Sequence, residues 1–131
     1  AVHRLGHGTH SREVREIVGA GFPNYRIRIG ETVNGPGGWS SWPVHAGEVA
    51  ATDFEEYLLY FTNPRDGYGI QVNGNTPIIV KSGDILEITQ GHHPVVAAPD
   101  NTLMYVWVYV SSNGFQKEYP KFADDGGMYR V

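Results

Sequence analysis

Short apolar stretches that alternate with glycine- and proline-rich turns are the feature that most constrains the fold of this chain. Asn-Gly-Pro-Gly-Gly at 34–38 and Asn-Gly-Asn-Thr-Pro at 73–77 each separate two such stretches. The 17 glycines and 8 prolines are spread along the chain rather than gathered in one block. This distribution is typical of many short strands joined by tight turns. An all-β domain is therefore predicted.

The clearest strand signal begins at Tyr25, where apolar and polar residues alternate. Tyr25, Ile27 and Ile29 share one parity, whereas Arg26 and Arg28 share the other. This period of two is the signature of a strand with one buried face. The pattern predicts buried apolar residues on one face and two arginines on the solvent face.

The remaining segments predict eight or nine short strands, which favours a closed sandwich or jelly roll around a small pocket. Residues 11–18 are compatible with a helix capped by Ser11 or with an edge strand. At 131 residues the chain has the size of one domain. We predict an N-terminal arm at 1–24, a barrel at 25–110 and a C-terminal tail at 111–131.

Composition excludes several classes of partner and ligand. The chain has no cysteine, so any metal must be held by histidine or carboxylate side chains. A net charge of -4 without a lysine or arginine cluster argues against nucleic acid and against anionic membranes as partners. The longest apolar run, at 103–110, is too short to cross a bilayer. A cytoplasmic protein is expected.

Three residues near strand ends have the chemistry of a metal site. His45 precedes Glu56 by a loop, and His93 follows a later strand together with His92. In a jelly roll such strand ends can meet at one mouth of the barrel. Two imidazoles and one carboxylate suit Fe(II), Mn(II) or Zn(II). Residue types and spacing alone leave solvated histidines as the alternative.

Longer motifs add a family resemblance. The segments GETVNGPGGWSSWPVH (30–45), EEY (55–57) and SGDILEITQGHHPVVAAP (82–99) resemble the bacterial 5-deoxy-glucuronate isomerases of myo-inositol catabolism, which are cupins. The resemblance runs from about Thr9 to Val110. It implies the cupin jelly-roll barrel, a double-stranded β-helix.

The resemblance also implies a ligand set for a divalent metal. The family pattern is an HxH pair, a glutamate and a later histidine, which places the ligands at His45, Glu56 and His93. The second histidine of the pair falls on Gly47, which has no side chain to donate. The expected cofactor is therefore a Zn, Mn or Fe ion held by three protein ligands.

The implied activity is metal-dependent interconversion of an aldose and a ketose form of a small sugar acid or polyol derivative. Arg26 or Arg28 is the candidate partner for the substrate carboxylate. Tyr60 shares the strand face of Glu56 and is a candidate pocket residue. No residue is identified as the catalytic base.

Two other functions stay open at this point. A non-catalytic cupin that binds a sugar or a carboxylate would be consistent with Gly47. A metal-dependent oxygenase would use the same two imidazoles and one carboxylate. The resemblance covers half of a two-cupin family chain, so we expect a homodimer or a second half supplied by another subunit.

Overall fold

A computed structural model describes residues 2–19, 26–42, 54–89 and 92–112. These ranges contain ten strands and one short 3-10 helix, so no helix within them is long enough to span a membrane. The 3-10 helix covers Gly8–His10. The strands are β1 (Val2–Leu5), β2 (Arg12–Val18), β3 (Ile27–Asn34), β4 (Trp39–Ser40), β5 (Phe54–Asn63), β6 (Gly69–Asn73), β7 (Thr76–Val80), β8 (Ile85–Ile88), β9 (Val95–Ala97) and β10 (Thr102–Ser111).

The strands form two antiparallel sheets that pack face to face. The larger sheet has the order β1-β2-β3-β10-β5-β8, and the smaller one has the order β4-β9-β6-β7. The prediction of an all-β sandwich is confirmed. The predicted N-terminal arm contributes β1 and β2 to the larger sheet, which raises the number of strands above the eight or nine expected from the sequence.

The core lies between the sheets and follows the alternation of the two longest strands. Leu58 and Tyr60 are buried on β5, and the alternate residues Leu103, Tyr105 and Trp107 are buried on β10. Val80 and Val95 from the smaller sheet complete this cluster, together with other apolar residues. Side chains of a strand alternate between its two faces, so each of these strands presents one row to the core.

The segment at 12–18 is a strand that lies between β1 and β3. Val14 is buried in the core, whereas Ile17 is exposed. The segment is therefore not a helix, and it is not an edge strand either. Its apolar residues were compatible with a helix and with an edge strand. The local pattern could not show that the segment pairs with a strand on each side.

On β3 the alternation is as predicted, but the assignment of its faces was wrong. Arg28 is only 1% exposed and shares the inner face with Gly30, Thr32 and Asn34. Ile27 and Ile29 lie on the other face and are half-buried. The interior of the barrel is polar along β3, so the expectation that the apolar face of a strand is the buried one fails there. Tyr25 lies outside the described residues.

The turn between β6 and β7 confirms the hairpin predicted at 73–77. Asn73 pairs with Thr76, so Gly74 and Asn75 form a two-residue connection. Gly74 has a φ of 67°, which glycine adopts without the steric cost that a side chain would add.

Candidate functional site

Three inner-face residues form one row across the larger sheet. Tyr109 on β10 lies directly opposite Arg28 on β3 and directly opposite Glu56 on β5. Residues in direct register across antiparallel strands project to the same face of the sheet. The Arg28–Tyr109–Glu56 row therefore places a cation, a phenol and a carboxyl group side by side inside the barrel.

Glu56 and His93 meet inside the barrel. His93 Nε2 lies 3.6 Å from Glu56 Oε1, and the two side chains are only 2% and 3% exposed. His93 belongs to the segment 92–94 that leads into β9. The structure thus brings together two of the three ligands predicted from the sequence.

The third predicted ligand, His45, lies outside the described residues, as does Gly47. Within the ranges that the structure describes, no group of three or more histidine, cysteine, aspartate and glutamate side chains is close enough to hold a metal ion. The observed part of the candidate site is the Glu56–His93 pair.

Burial controls the protonation of Glu56. Loss of solvent raises the pKa of this carboxyl group to about 8, and a hydrogen bond with Tyr109 acts in the opposite direction. Its Oε2 atom is buried and has no hydrogen-bond partner among the described residues. A buried carboxylate oxygen of this kind is expensive to ionise unless a positive charge compensates it. The pair therefore fits a cation, which would keep Glu56 ionised and use its free oxygen.

The two candidate arginines occupy different environments. Arg28 is buried in the row, and its Nη1 donates a hydrogen bond to the Ile27 carbonyl at 3.0 Å. Arg26 is exposed at the start of β3, and its Nη1 donates to the carbonyl of Ser112. Of the two, only Arg28 is buried in the row that contains Glu56.

Tyr60, the candidate pocket residue on the face of Glu56, is enclosed in the core. It is 0% exposed, and its hydroxyl donates to Gln71 Oε1 at 2.7 Å. Gln71 Nε2 in turn donates to the carbonyl of His93 at 2.8 Å. His92, the neighbour of His93, is exposed.

Sequence reasoning misses Tyr109 and Gln71. Tyr109 has the same parity as Tyr105 and Trp107 on β10, which is a signal for the inner face, but its contact with Glu56 depends on the strand register. Gln71 is one polar residue in an apolar stretch, and nothing in the sequence indicates that it faces His93.

The three tryptophans named as possible stacking surfaces for a sugar separate into two places. Trp107 is buried on the inner face, and its ring stacks on that of Tyr109 with centroids 5.1 Å apart. Trp39 and Trp42 lie with centroids 6.1 Å apart and line a cavity of about 330 Å³ together with Thr9 and His10. Of the three, Trp107 is the one that packs against the Arg28–Tyr109–Glu56 row, through its contact with Tyr109.

The chain matches the model of the KduI/IolB family over residues 1–125. A 5-deoxy-glucuronate isomerase from Geobacillus kaustophilus is 29% identical over 104 residues, which cover 72% of this chain and 38% of the relative. The chain thus spans about two fifths of the curated relatives that it matches.

Solved structures give the same fold. An IolB-like protein from Salmonella typhimurium superposes with a TM-score of 0.74 at 23% identity, covering 86% of this chain and 46% of the other. A cupin-like protein from Thermotoga maritima superposes with a TM-score of 0.60 at 23% identity, covering 84% and 80%. The predicted cupin jelly roll is confirmed.

Proposed function

Because the chain belongs to the KduI/IolB family, we propose that it is a metal-dependent isomerase domain acting on a small sugar acid. The observation that carries this proposal is the buried pair of Glu56 and His93, 3.6 Å apart. A carboxylate from β5 and an imidazole from the segment that leads into β9 converge where solvent is excluded, and both groups are ligands for Zn, Mn and Fe ions. The name of the curated relatives supports 5-deoxy-glucuronate as the first substrate to test.

In this proposal, Glu56 and His93 hold the ion and His45 is the third ligand. Gly47 at the position of the second family histidine leaves the set at two imidazoles and one carboxylate, which is sufficient for several divalent ions. When bound, the ion supplies a Lewis acid that polarises a carbonyl oxygen. Glu56 and His93 contribute rigid positions, because both side chains are enclosed by the core.

Arg28 is the proposed partner for the carboxylate of the substrate. It is separated from Glu56 by one intervening strand, so the two Cα atoms are about 10 Å apart, given a strand spacing of about 4.8 Å. A small sugar acid can span this distance with its reacting end at Glu56 and its carboxylate at the guanidinium. Tyr109 lies between them, and its hydrogen bond with Glu56 orients the Tyr109 side chain.

Metal content tests the first part of the proposal. We expect near-stoichiometric Mn, Fe or Zn in the untagged wild-type chain and loss of that metal in both Glu56→Ala and His93→Ala, because each variant removes one of few ligands. The measurement is elemental analysis after incubation with each ion in turn. His92→Ala is the matched control, since it removes the exposed neighbour and should keep the metal.

Two results would contradict the metal site. A wild-type chain that takes up none of the three ions would leave the non-catalytic binding cupin as the better function, in agreement with the missing histidine at Gly47. Equal metal content in wild type, Glu56→Ala and His93→Ala would place the ion elsewhere. Loss in His45→Ala as well would support the third ligand.

The role of Arg28 is tested by comparison with Arg26. With 5-deoxy-glucuronate as substrate, we expect Arg28→Gln to raise KM by about tenfold or more, because a buried charge-assisted hydrogen bond contributes about 1.5 to 3 kcal/mol. Arg26→Gln removes an exposed arginine two residues away and should leave KM unchanged. Equal effects of the two substitutions on KM would remove Arg28 from the substrate site.

Oxygen-dependent chemistry is the remaining alternative for the same ligand set. Oxygen consumption during turnover would identify it, whereas isomerisation proceeds without oxygen. The homodimer, the second half supplied by another subunit and the cytoplasmic location stay predictions.

A further inference from the structure

We propose that Tyr60 and Gln71 form a strut between the two sheets that fixes His93 relative to Glu56. The strut is the hydrogen-bonded chain from the Tyr60 hydroxyl through the Gln71 amide to the carbonyl of His93. It makes Tyr60 and Gln71 positioning residues, which act on the metal through His93. This inference rests on the proposed metal site.

The strut connects the two elements that carry the ligands. Tyr60 lies on β5, four residues after Glu56 and on the same face of the larger sheet. Gln71 lies on β6 of the smaller sheet. The hydroxyl of Tyr60 donates to Gln71 Oε1 at 2.7 Å, and Gln71 Nε2 donates to the His93 carbonyl at 2.8 Å. The strand of Glu56 and the segment of His93 are thus linked through two side chains.

The amide of Gln71 takes a place that the backbone leaves open. The carbonyl of His92 accepts a hydrogen bond from the amide of Gly74 at 2.7 Å, and the carbonyl of Pro94 accepts one from the amide of Val72 at 2.9 Å. The carbonyl of His93 lies between these two and receives its hydrogen bond from the side chain of Gln71. Gln71 therefore attaches His93 to β6 through its side chain, in line with the backbone hydrogen bonds that hold His92 and Pro94.

Burial makes this attachment specific. Tyr60 and Gln71 are both 0% exposed, so water cannot replace either partner. A buried amide or carbonyl without a partner is costly. The carbonyl of His93 can only accept a hydrogen bond, so the NH₂ group of Gln71 must face it, and the amide oxygen then accepts from the hydroxyl of Tyr60. The amide has one orientation in which every contact is made. Substitution of either residue should loosen His93 without removing a ligand.

The experiment measures Co²⁺ binding by the full chain in Tyr60→Phe and Gln71→Met. We expect the dissociation constant to rise about tenfold or more, as is typical for residues that orient a metal ligand, and the visible absorption bands of bound Co²⁺ to change. Tyr105→Phe is the matched control. Its hydroxyl is also buried, lies 2.8 Å from Ser40 Oγ, and belongs to the residue directly opposite Tyr60, but it has no link to His93 through Gln71.

A second measurement works without metal. In the metal-free chain, the Cε1–H signal of His93 in ¹H–¹³C NMR should be single and sharp in wild type and Tyr105→Phe, and broadened or split in Gln71→Met. Melting temperatures of Tyr60→Phe and Tyr105→Phe should fall by similar amounts, because each variant loses one buried hydroxyl.

The outcomes separate the strut from the metal site. A wild-type chain that binds no Co²⁺ would overturn the metal site, and an unchanged His93 signal in Gln71→Met would overturn the strut. Wild-type Co²⁺ binding that is equally weakened by Tyr60→Phe and Tyr105→Phe would show a general effect of core destabilisation and would also overturn the strut.

Discussion

In the metal-free protein, raising the pH from about 5 to about 8 is expected to lower the free energy of unfolding by a few kcal/mol through Glu56 alone. Burial raises the pKa of Glu56 from 4.5 to about 8, so the folded state retains a proton that the unfolded state has released. The contribution of the protonated group is fully present below about 4.5 and is lost as the pH rises through 8. Each pKa unit corresponds to about 1.4 kcal/mol.

Urea unfolding of the EDTA-treated chain at several pH values measures this effect. Glu56→Gln keeps the size of the side chain and cannot ionise, so the difference in stability between wild type and this variant should grow as the pH rises. Glu55→Gln changes the adjacent carboxylate, which is exposed and accepts a hydrogen bond from Tyr57, and should retain the wild-type pH dependence. Parallel pH profiles for wild type and Glu56→Gln would show that Glu56 is not held in its neutral form.

Gly30→Ala is expected to destabilise the fold by about 3 kcal/mol or more. A Cβ atom at this position would lie 2.1 Å from Cζ2 of Trp107 and 2.6 Å from the carbonyl oxygen of Arg15. One of these neighbours is a buried ring and the other is backbone of β2, so neither can move freely. Overpacking of a well-filled core typically costs about 1 to 3 kcal/mol, and the backbone clash adds to this.

Gly35→Ala provides the control for this prediction. A Cβ atom at Gly35 would have no heavy atom within 4 Å, so the substitution should change the free energy of unfolding by less than about 0.5 kcal/mol. Urea unfolding followed by tryptophan fluorescence measures both variants. Because Trp107 stacks on Tyr109, its displacement in Gly30→Ala should also weaken metal binding. Equal stability of the two variants would mean that the ring of Trp107 does not cover Gly30.

The sequence predicted the strands better than it predicted their faces. Alternation and turn residues were enough for most strands, since both are local properties. Arg28 was assigned to the solvent face because apolar residues normally face the core, but here the interior is polar on one side. Glu56 and His93 could be paired through a family motif. Tyr109 and Gln71 could not, because their contacts depend on which strands are neighbours and on the register between them.

The position of β10 in the larger sheet has a consequence for synthesis on the ribosome. This strand pairs with β3 on one side and with β5 on the other, although both precede it in the chain by many residues. Until β10 has left the exit tunnel, β3 and β5 each keep one side without their final partner, and unpaired strand edges are prone to association with other chains. The larger sheet is thus completed late. A translational pause before residue 102 would leave the unpaired edges of β3 and β5 exposed at the same time.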